Sequence, residues 1–197
     1  GTVSPAGGNL KEPVTESTKK AARCFYALSQ NRADSKRYPA IDTLDSYSKY
    51  LEYPEFLEYA KDKLDENWVN LVNEARNILV RGKEMEEQIN ILGDDSVPIS
   101  YHIDMWKSEF IDFIILQQDA FDKIDGNTSL ERQEVMLKKV IDVTRSEFKF
   151  EGFEEVGTYF KRLINTFRQM NYTVFKSEDF HKSEEEANAI IEERIVK

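Results

Sequence analysis

The 197-residue sequence has one cysteine, Cys24, and two histidines, His102 and His181, far apart along the chain. One thiol excludes an internal disulfide framework and a cysteine-based zinc site, and it fits a reducing compartment. Neither histidine has ligand-like neighbours, so no metal site is expected. Long apolar runs are missing too. None approaches the roughly 18 residues a membrane-spanning helix needs, and the N-terminal stretch lacks the basic-then-apolar pattern of a secretory signal. Positive charge is in short supply: 27 Lys and Arg face 37 Asp and Glu, a formal net charge of -10, which repels the phosphates of nucleic acid. The 40% of hydrophobic residues nonetheless suffice for a real core.

A nucleotide phosphate loop is also absent. Such a loop needs glycines whose backbone N–H groups cradle the phosphates, a Lys to offset their charge, and a Ser or Thr hydroxyl for magnesium. The only Gly-Lys pair, Gly82-Lys83, is followed by Glu84, and Asn77 stands where the first glycine belongs. The 37 acidic residues show no distinctive pairing that would mark a carboxylate-based hydrolase. The isolated chain is therefore expected to have no catalytic residues.

What is present reads as mainly α. Residues 1 to about 20 read as irregular, and Ala22 to Leu28 is an apolar run that periodicity leaves open between helix and strand. Helical signals begin at Thr43. Pro54 suits a first turn, and Phe56, Leu57, Tyr59, Ala60 and Leu64 mark a short amphipathic helix. From residue 65 to 92, Trp68, Leu71, Val72, Ala75, Ile78, Leu79, Met85, Ile89 and Leu92 form one stripe along a long helix, with Glu84, Glu86 and Glu87 on the other face. Gly93 is expected to end it in a left-handed conformation, and Pro98 to delay the restart. A second helix, Tyr101 to Gln118, carries Trp106, Phe110, Phe113 and Ile114. Thr128 with Glu131 and Ser183 with Glu186 have capping-box spacing, before helices from Ser129 to about Arg145 and from Glu184 to Val196; Val156 to Met170 is a further helix.

Five collinear segments then carry a resemblance. They are Ser4-Pro5-Ala6-Gly7-Gly8-Asn9 with Glu12-Pro13-Val14-Thr15, Tyr38 to Tyr50, Leu92 to Pro98, Leu116-Gln117-Gln118-Asp119-Ala120-Phe121, and Ser129-Leu130-Glu131-Arg132-Gln133 with Met136-Leu137-Lys138. In these the chain resembles the catalytic A subunit of the V/A-type ATP synthases, over roughly residues 2 to 145.

The resemblance implies a carboxyl-terminal piece of a larger protein, consistent with a start at Gly1 and not at Met. It implies that residues 1–42 close an α/β nucleotide-binding domain, with the Ala22–Leu28 run as its last strand, and that residues 43–197 form a multi-helix carboxyl-terminal domain. Tyr38 and Phe121 would stack on the two faces of adenine, with Ala120 beside them. Gln117 and Gln118 would either hydrogen-bond the adenine edge or cap the carbonyls of an apolar helix. Gly93, Asp94, Asp95, Ser96, Val97 and Pro98 would form the tip that meets the rotating central stalk; read without the family, they are a solvated acidic turn. ATP or ADP with magnesium, the B subunit and the stalk subunits would be partners of the parent. Its place would be cytoplasmic, touching the membrane only through the complex. The competing reading is a free-standing acidic helical adaptor.

Overall fold

The computed structural model describes residues 11–196; the Ser4–Asn9 motif lies outside them. Eight α-helices and one two-stranded antiparallel sheet make up these residues, and the fold is mainly α as expected.

Part of the stretch expected to be irregular is helical: α1 spans Pro13–Ala21, with proline at its first position, where a missing N–H costs nothing and φ is already helical. The open run resolves as a strand, β1 (Cys24–Leu28). A short helix, α2 (Gln30–Asp34), follows, capped by the Ser29 hydroxyl, which accepts from the Arg32 N–H.

The helical signal expected from Thr43 is overturned, because Ile41–Ser48 is a strand, β2. It pairs with β1 through Cys24 opposite Ser48 and Leu28 opposite Ile41, with a register shift between Phe25 and Ala27. The shift hides the strand from a period-two reading. Extra residues loop out where the Asp42 carboxylate accepts the N–H groups of Leu44 and Asp45 at 2.9 and 2.8 Å, and the Ser46 hydroxyl accepts from Ala27 at 3.0 Å. Such bulges bend a strand and break its alternation.

Helix α3 (Pro54–Lys63) has the expected proline start and buries Ala60. The long stripe forms α4 (Trp68–Leu92), burying Leu71, Ala75 and Ile89. Its end departs from expectation. Gly93 has φ +88° but ψ 151°, so the chain leaves the helix extended and turns at once through Asp94–Ser96. Only a residue without Cβ enters that region freely. Pro98 does not delay the next helix but caps it: α5 runs Ile99–Ile111 and then widens into a π turn, Asp112–Leu116, that leaves Gln117 extended. The second helix thus stops short of Gln118.

α4 and α5 form an antiparallel hairpin closed very tightly at Gly82, where an added Cβ would lie 2.0 Å from the Ser108 Cβ. At its tip the buried His102 stacks on Phe153 at 5.1 Å, and its Nε2 lies 3.2 Å from the Asp94 carbonyl oxygen.

The core lies where α4, α5 and the π turn meet α6 (Leu130–Arg145), α7 (Phe153–Tyr172) and α8 (Glu178–Glu192). Phe110, Val140, Val156, Phe160, Leu163 and Met170 are fully buried there. Both proposed caps shift. Ser129, not Thr128, caps α6, while Glu131 pairs with Lys176. Ser177, not Ser183, caps α8, so that helix starts earlier and its first turn sinks Phe180 into the core. In each case the hydroxyl nearest the true start wins the orphan N–H.

Candidate functional site

The loop from α2 to β2 carries Lys36, with φ 56°, and then Arg37 and Tyr38, whose bond to Pro39 is cis. Arg37 fixes this loop to the last turn of α5. Its guanidinium grips the Glu109 carboxylate through two bonds of 2.9 and 2.6 Å and reaches Asp112 at 3.1 Å, while stacking over Phe113 at 4.7 Å. Bonding to Glu109 raises the Arg37 pKa further above its already high value, against the opposing effect of burial. Arg32 adds a 2.5 Å bond to the other oxygen of the buried Asp112. Two arginines 72 to 80 residues away in sequence therefore clamp one helix end. That separation leaves no local signal, and the sequence reading did not find the clamp.

Past the π turn, the Gln118 N–H donates to the Tyr38 carbonyl at 2.9 Å, joining the two segments directly. The Gln118 side chain is committed as well, its Nε2 donating to the Asp125 carbonyl at 2.7 Å. Asp125 is buried, which pushes its pKa up, although its Oδ2 accepts the Asp119 N–H at 2.6 Å. Asp119 in turn accepts from the Phe121 N–H at 2.9 Å. The loop is so tight that a Cβ on Gly126 would meet the Asp119 carbonyl oxygen at 3.2 Å.

These bonds leave Phe121 98% exposed and Tyr38 54% exposed. The large apolar ring of Phe121 held out by an ordered backbone has lost the burial it would gain in a core. Tyr38, Gln117, Gln118, Ala120 and Phe121 all line one cleft of about 540 Å³. Gln117, one of its lining residues, has its side-chain Oε1 shielded from solvent and without a hydrogen-bond partner. Helix α7 forms another wall, anchored by Asn171, whose Nδ2 donates to the Ile114 carbonyl in the π turn at 2.9 Å. A larger groove of about 860 Å³ separates β2 from α4 and the π turn.

The Gly93–Pro98 turn sits at the other end of the α4–α5 hairpin, with Asp94 and Asp95 exposed beside Ile91 and Leu92. At 1.5 Å per residue, α5 and the π turn place it about 25 Å from the cleft. Among the described residues no group of His, Cys, Asp and Glu is arranged to hold a metal ion, and no helix is long and apolar enough to cross a membrane.

A long helical hairpin joined to a two-stranded sheet, with exposed rings at the junction, is the architecture on which a family assignment can be tested. Residues 57–151 match the family described as the C-terminal domain of V and A type ATP synthase, so this segment of the chain carries that domain. Across nearly its full length it is similar to V-type ATP synthase alpha chains. It is 37% identical over 185 residues to that of Treponema denticola, covering 94% of this chain and 29% of the relative. To that of Borrelia duttonii it is 38% identical over 184 residues, covering 93% and 30%. To that of Protochlamydia amoebophila it is 36% identical over 194 residues, covering 98% and 32%. The chain thus spans about three tenths of the length of the curated relatives it matches. A solved structure of an ATP synthase subunit, NeqB from Nanoarcheaum equitans, superposes with a TM-score of 0.52 at 19% identity, covering 72% of this chain and 32% of that one; the likeness there is one of fold.

Proposed function

We propose that this chain serves in the catalytic A subunit of a proton- or sodium-translocating V/A-type ATP synthase or ATPase, where it completes the adenine pocket and passes motion to the central stalk. The observation that carries the reading is the convergence of Tyr38 and the Gln117–Phe121 segment on one cleft, joined by the bond from the Gln118 N–H to the Tyr38 carbonyl. Tyr38 and Phe121 take the faces of the base, Ala120 leaves room for it, and Gln117 meets its edge; Gln118 holds the loop. ATP or ADP with magnesium, the B subunit and the stalk subunits belong to the parent, which lies peripheral to the membrane on its cytoplasmic side. The Gly93–Pro98 tip contacts the stalk, and the α4–α5 hairpin turns a small tilt at the cleft into a larger displacement at the tip.

Base stacking contributes roughly 1–3 kcal/mol per contact, against an association cost of about 4 kcal/mol or more. The chain alone should therefore bind ATP no more tightly than about 1 mM. An NMR titration with ATP should move the amides of Tyr38 and of Gln117 to Phe121 at millimolar ligand, and Phe121→Ala should weaken the effect. Micromolar binding, or shifts confined to other regions, would refute the reading. In the assembled parent, lengthening the Gly93–Pro98 turn should uncouple rotation from hydrolysis; retained coupling would remove the tip from the mechanism.

A further inference from the structure

The chain leaves α5 by a route that departs from its local preference. A helix running on to Gln118, as the apolar spacing predicts, would pass the Gln118 N–H to the Ile114 carbonyl, four residues back. Instead the turn widens, and the Gln117 N–H reaches five residues back to the Asp112 carbonyl at 2.8 Å. One inserted residue turns whatever follows by about 100° around the helix axis, so the widening decides in which direction Gln117 to Phe121 leave the helix. Such turns are rare; here side chains from other elements hold this one.

Ile114 shows how. The residue is 4% exposed, and helical geometry can bring only two N–H groups to its carbonyl, those of Gln118 and Asp119. Both donate elsewhere, Gln118 to the Tyr38 carbonyl at 2.9 Å and Asp119 to the Asp125 carboxylate at 2.6 Å. The partner comes from α7, which lines the cleft with Arg168, Asn171 and Tyr172: the Asn171 Nδ2 donates to the Ile114 carbonyl at 2.9 Å. Without that amide a buried carbonyl is left unpaired, and the Gln118 N–H has two acceptors to choose between, Tyr38 on one side and Ile114 on the other.

We propose that Asn171 is a positioning residue of the cleft: by taking the Ile114 carbonyl it frees the Gln118 N–H for Tyr38, and so sets the Gln117–Phe121 segment beside Tyr38. The arginine clamp on Asp112 fixes where the turn begins, and Asn171 fixes how it ends. Leaving a buried acceptor unpaired shifts such a balance by about fivefold to a hundredfold, toward a helix that runs on to Gln118. In that form the Gln118 side chain also leaves the Asp125 carbonyl, and the two segments of the cleft come apart. The positioning stands on these hydrogen bonds alone; its consequence for a nucleotide rests on the adenine reading above.

The test compares the full chain with Asn171→Leu, which is of similar size but carries no donor, and with Asn171→Gln, which keeps the amide on a longer stem. Backbone carbon NMR shifts of Ile115 to Gln118 read the route directly, since Gln117 is extended in the present turn and helical once Gln118 returns to Ile114. Asn171→Leu should move these shifts toward helical values, and Asn171→Gln should reverse part of the change; a merely structural loss would lower the melting temperature without touching them. In an ATP titration the apparent affinity at Tyr38 and Phe121 should fall in proportion to the fraction of chains that keep the extended route. If Asn171→Leu does not fold, Asn171→Asp, of the same size and without a donor at neutral pH, takes its place. Unchanged shifts at Ile115 to Gln118 overturn the inference, whatever ATP does. Shifts that turn helical while ATP leaves Tyr38 and Phe121 of the unaltered chain unperturbed uphold it and sink the adenine reading alone.

Discussion

Removing the charge of Asp112 should be the most damaging single-atom change in this molecule. Asp112 is 4% exposed and bonds both Arg32 and Arg37; Arg32 already has its Nε and Nη2 buried without partners. Asp112→Asn would leave Arg32, whose side chain is 13% exposed, as a buried cation facing a neutral amide. Breaking a buried pair by neutralising one partner costs about 3–5 kcal/mol. Arg37 lowers that figure, because it keeps the bidentate grip on Glu109 and its side chain is 26% exposed. A loss of about 2–4 kcal/mol is expected, which for a chain of this size lowers the melting temperature by roughly 4–16 °C. Urea unfolding followed by tryptophan fluorescence and circular dichroism would measure it. Glu109→Gln, at a site with a 27% exposed side chain, should cost only about 1 kcal/mol. Since the clamp holds the Tyr38 loop, amide exchange at Gln118 should accelerate in Asp112→Asn beyond its rise in global unfolding. A cost below about 1 kcal/mol, or Glu109→Gln proving the worse variant, would refute the ranking.

Three further outcomes are expected. Gly82→Ala should destabilise by about 1–3 kcal/mol or more through overpacking, because its Cβ would fall 2.0 Å from that of Ser108; Ser108→Gly in the same chain should recover part of the loss, and denaturation midpoints that show none would count against the contact. Tyr159→Phe should be neutral or stabilising by up to about 1 kcal/mol, since burial raises the pKa of this phenol and its hydroxyl has no partner; a clear loss of stability would show a bond that the geometry lacks. Burial also raises the pKa of Asp125, so the folded state binds its proton more tightly than the unfolded chain does. The charged form therefore costs stability above the folded pKa, and the penalty fades as pH falls, vanishing below the unfolded value of 3.8. Asp125→Asn should accordingly stabilise at neutral pH and lose that advantage in acid, as thermal melts at several pH values would show.

How much could be read in advance depended on whether the controlling contact was local. The stripe from Trp68 to Ile89 and the face of Phe160, Leu163, Ile164 and Phe167 followed the helical repeat, and both became core helices. The strand Ile41–Ser48 did not show, because its pairing partner is a separate segment and the Asp42 turn interrupts its alternation. Helix starts were misplaced wherever two hydroxyls competed, as with Thr128 and Ser129; the spacing rule does not say which N–H each will reach. At the cleft, the Tyr38 and Gln117–Phe121 segments were legible only through a family pattern. Arg37, Glu109, Asp112 and Arg168 belong to no pattern of neighbours; only the packing of the Tyr38 loop against α5, and of α7 against the cleft, sets their places.

The cleft draws its walls from three stretches of chain, around Tyr38, around Phe121 and around Arg168, that lie far apart in sequence. No part of it exists in the unfolded chain. Any molecule that fits there must therefore also act as a folding ligand, adding RT ln(1 + [L]/Kd) to stability. A compound with a dissociation constant of 1 mM would contribute about 1.4 kcal/mol at 10 mM, a melting shift of a few degrees. Weak occupants of the cleft could thus be ranked by how far they raise the melting temperature, before any catalytic partner is present.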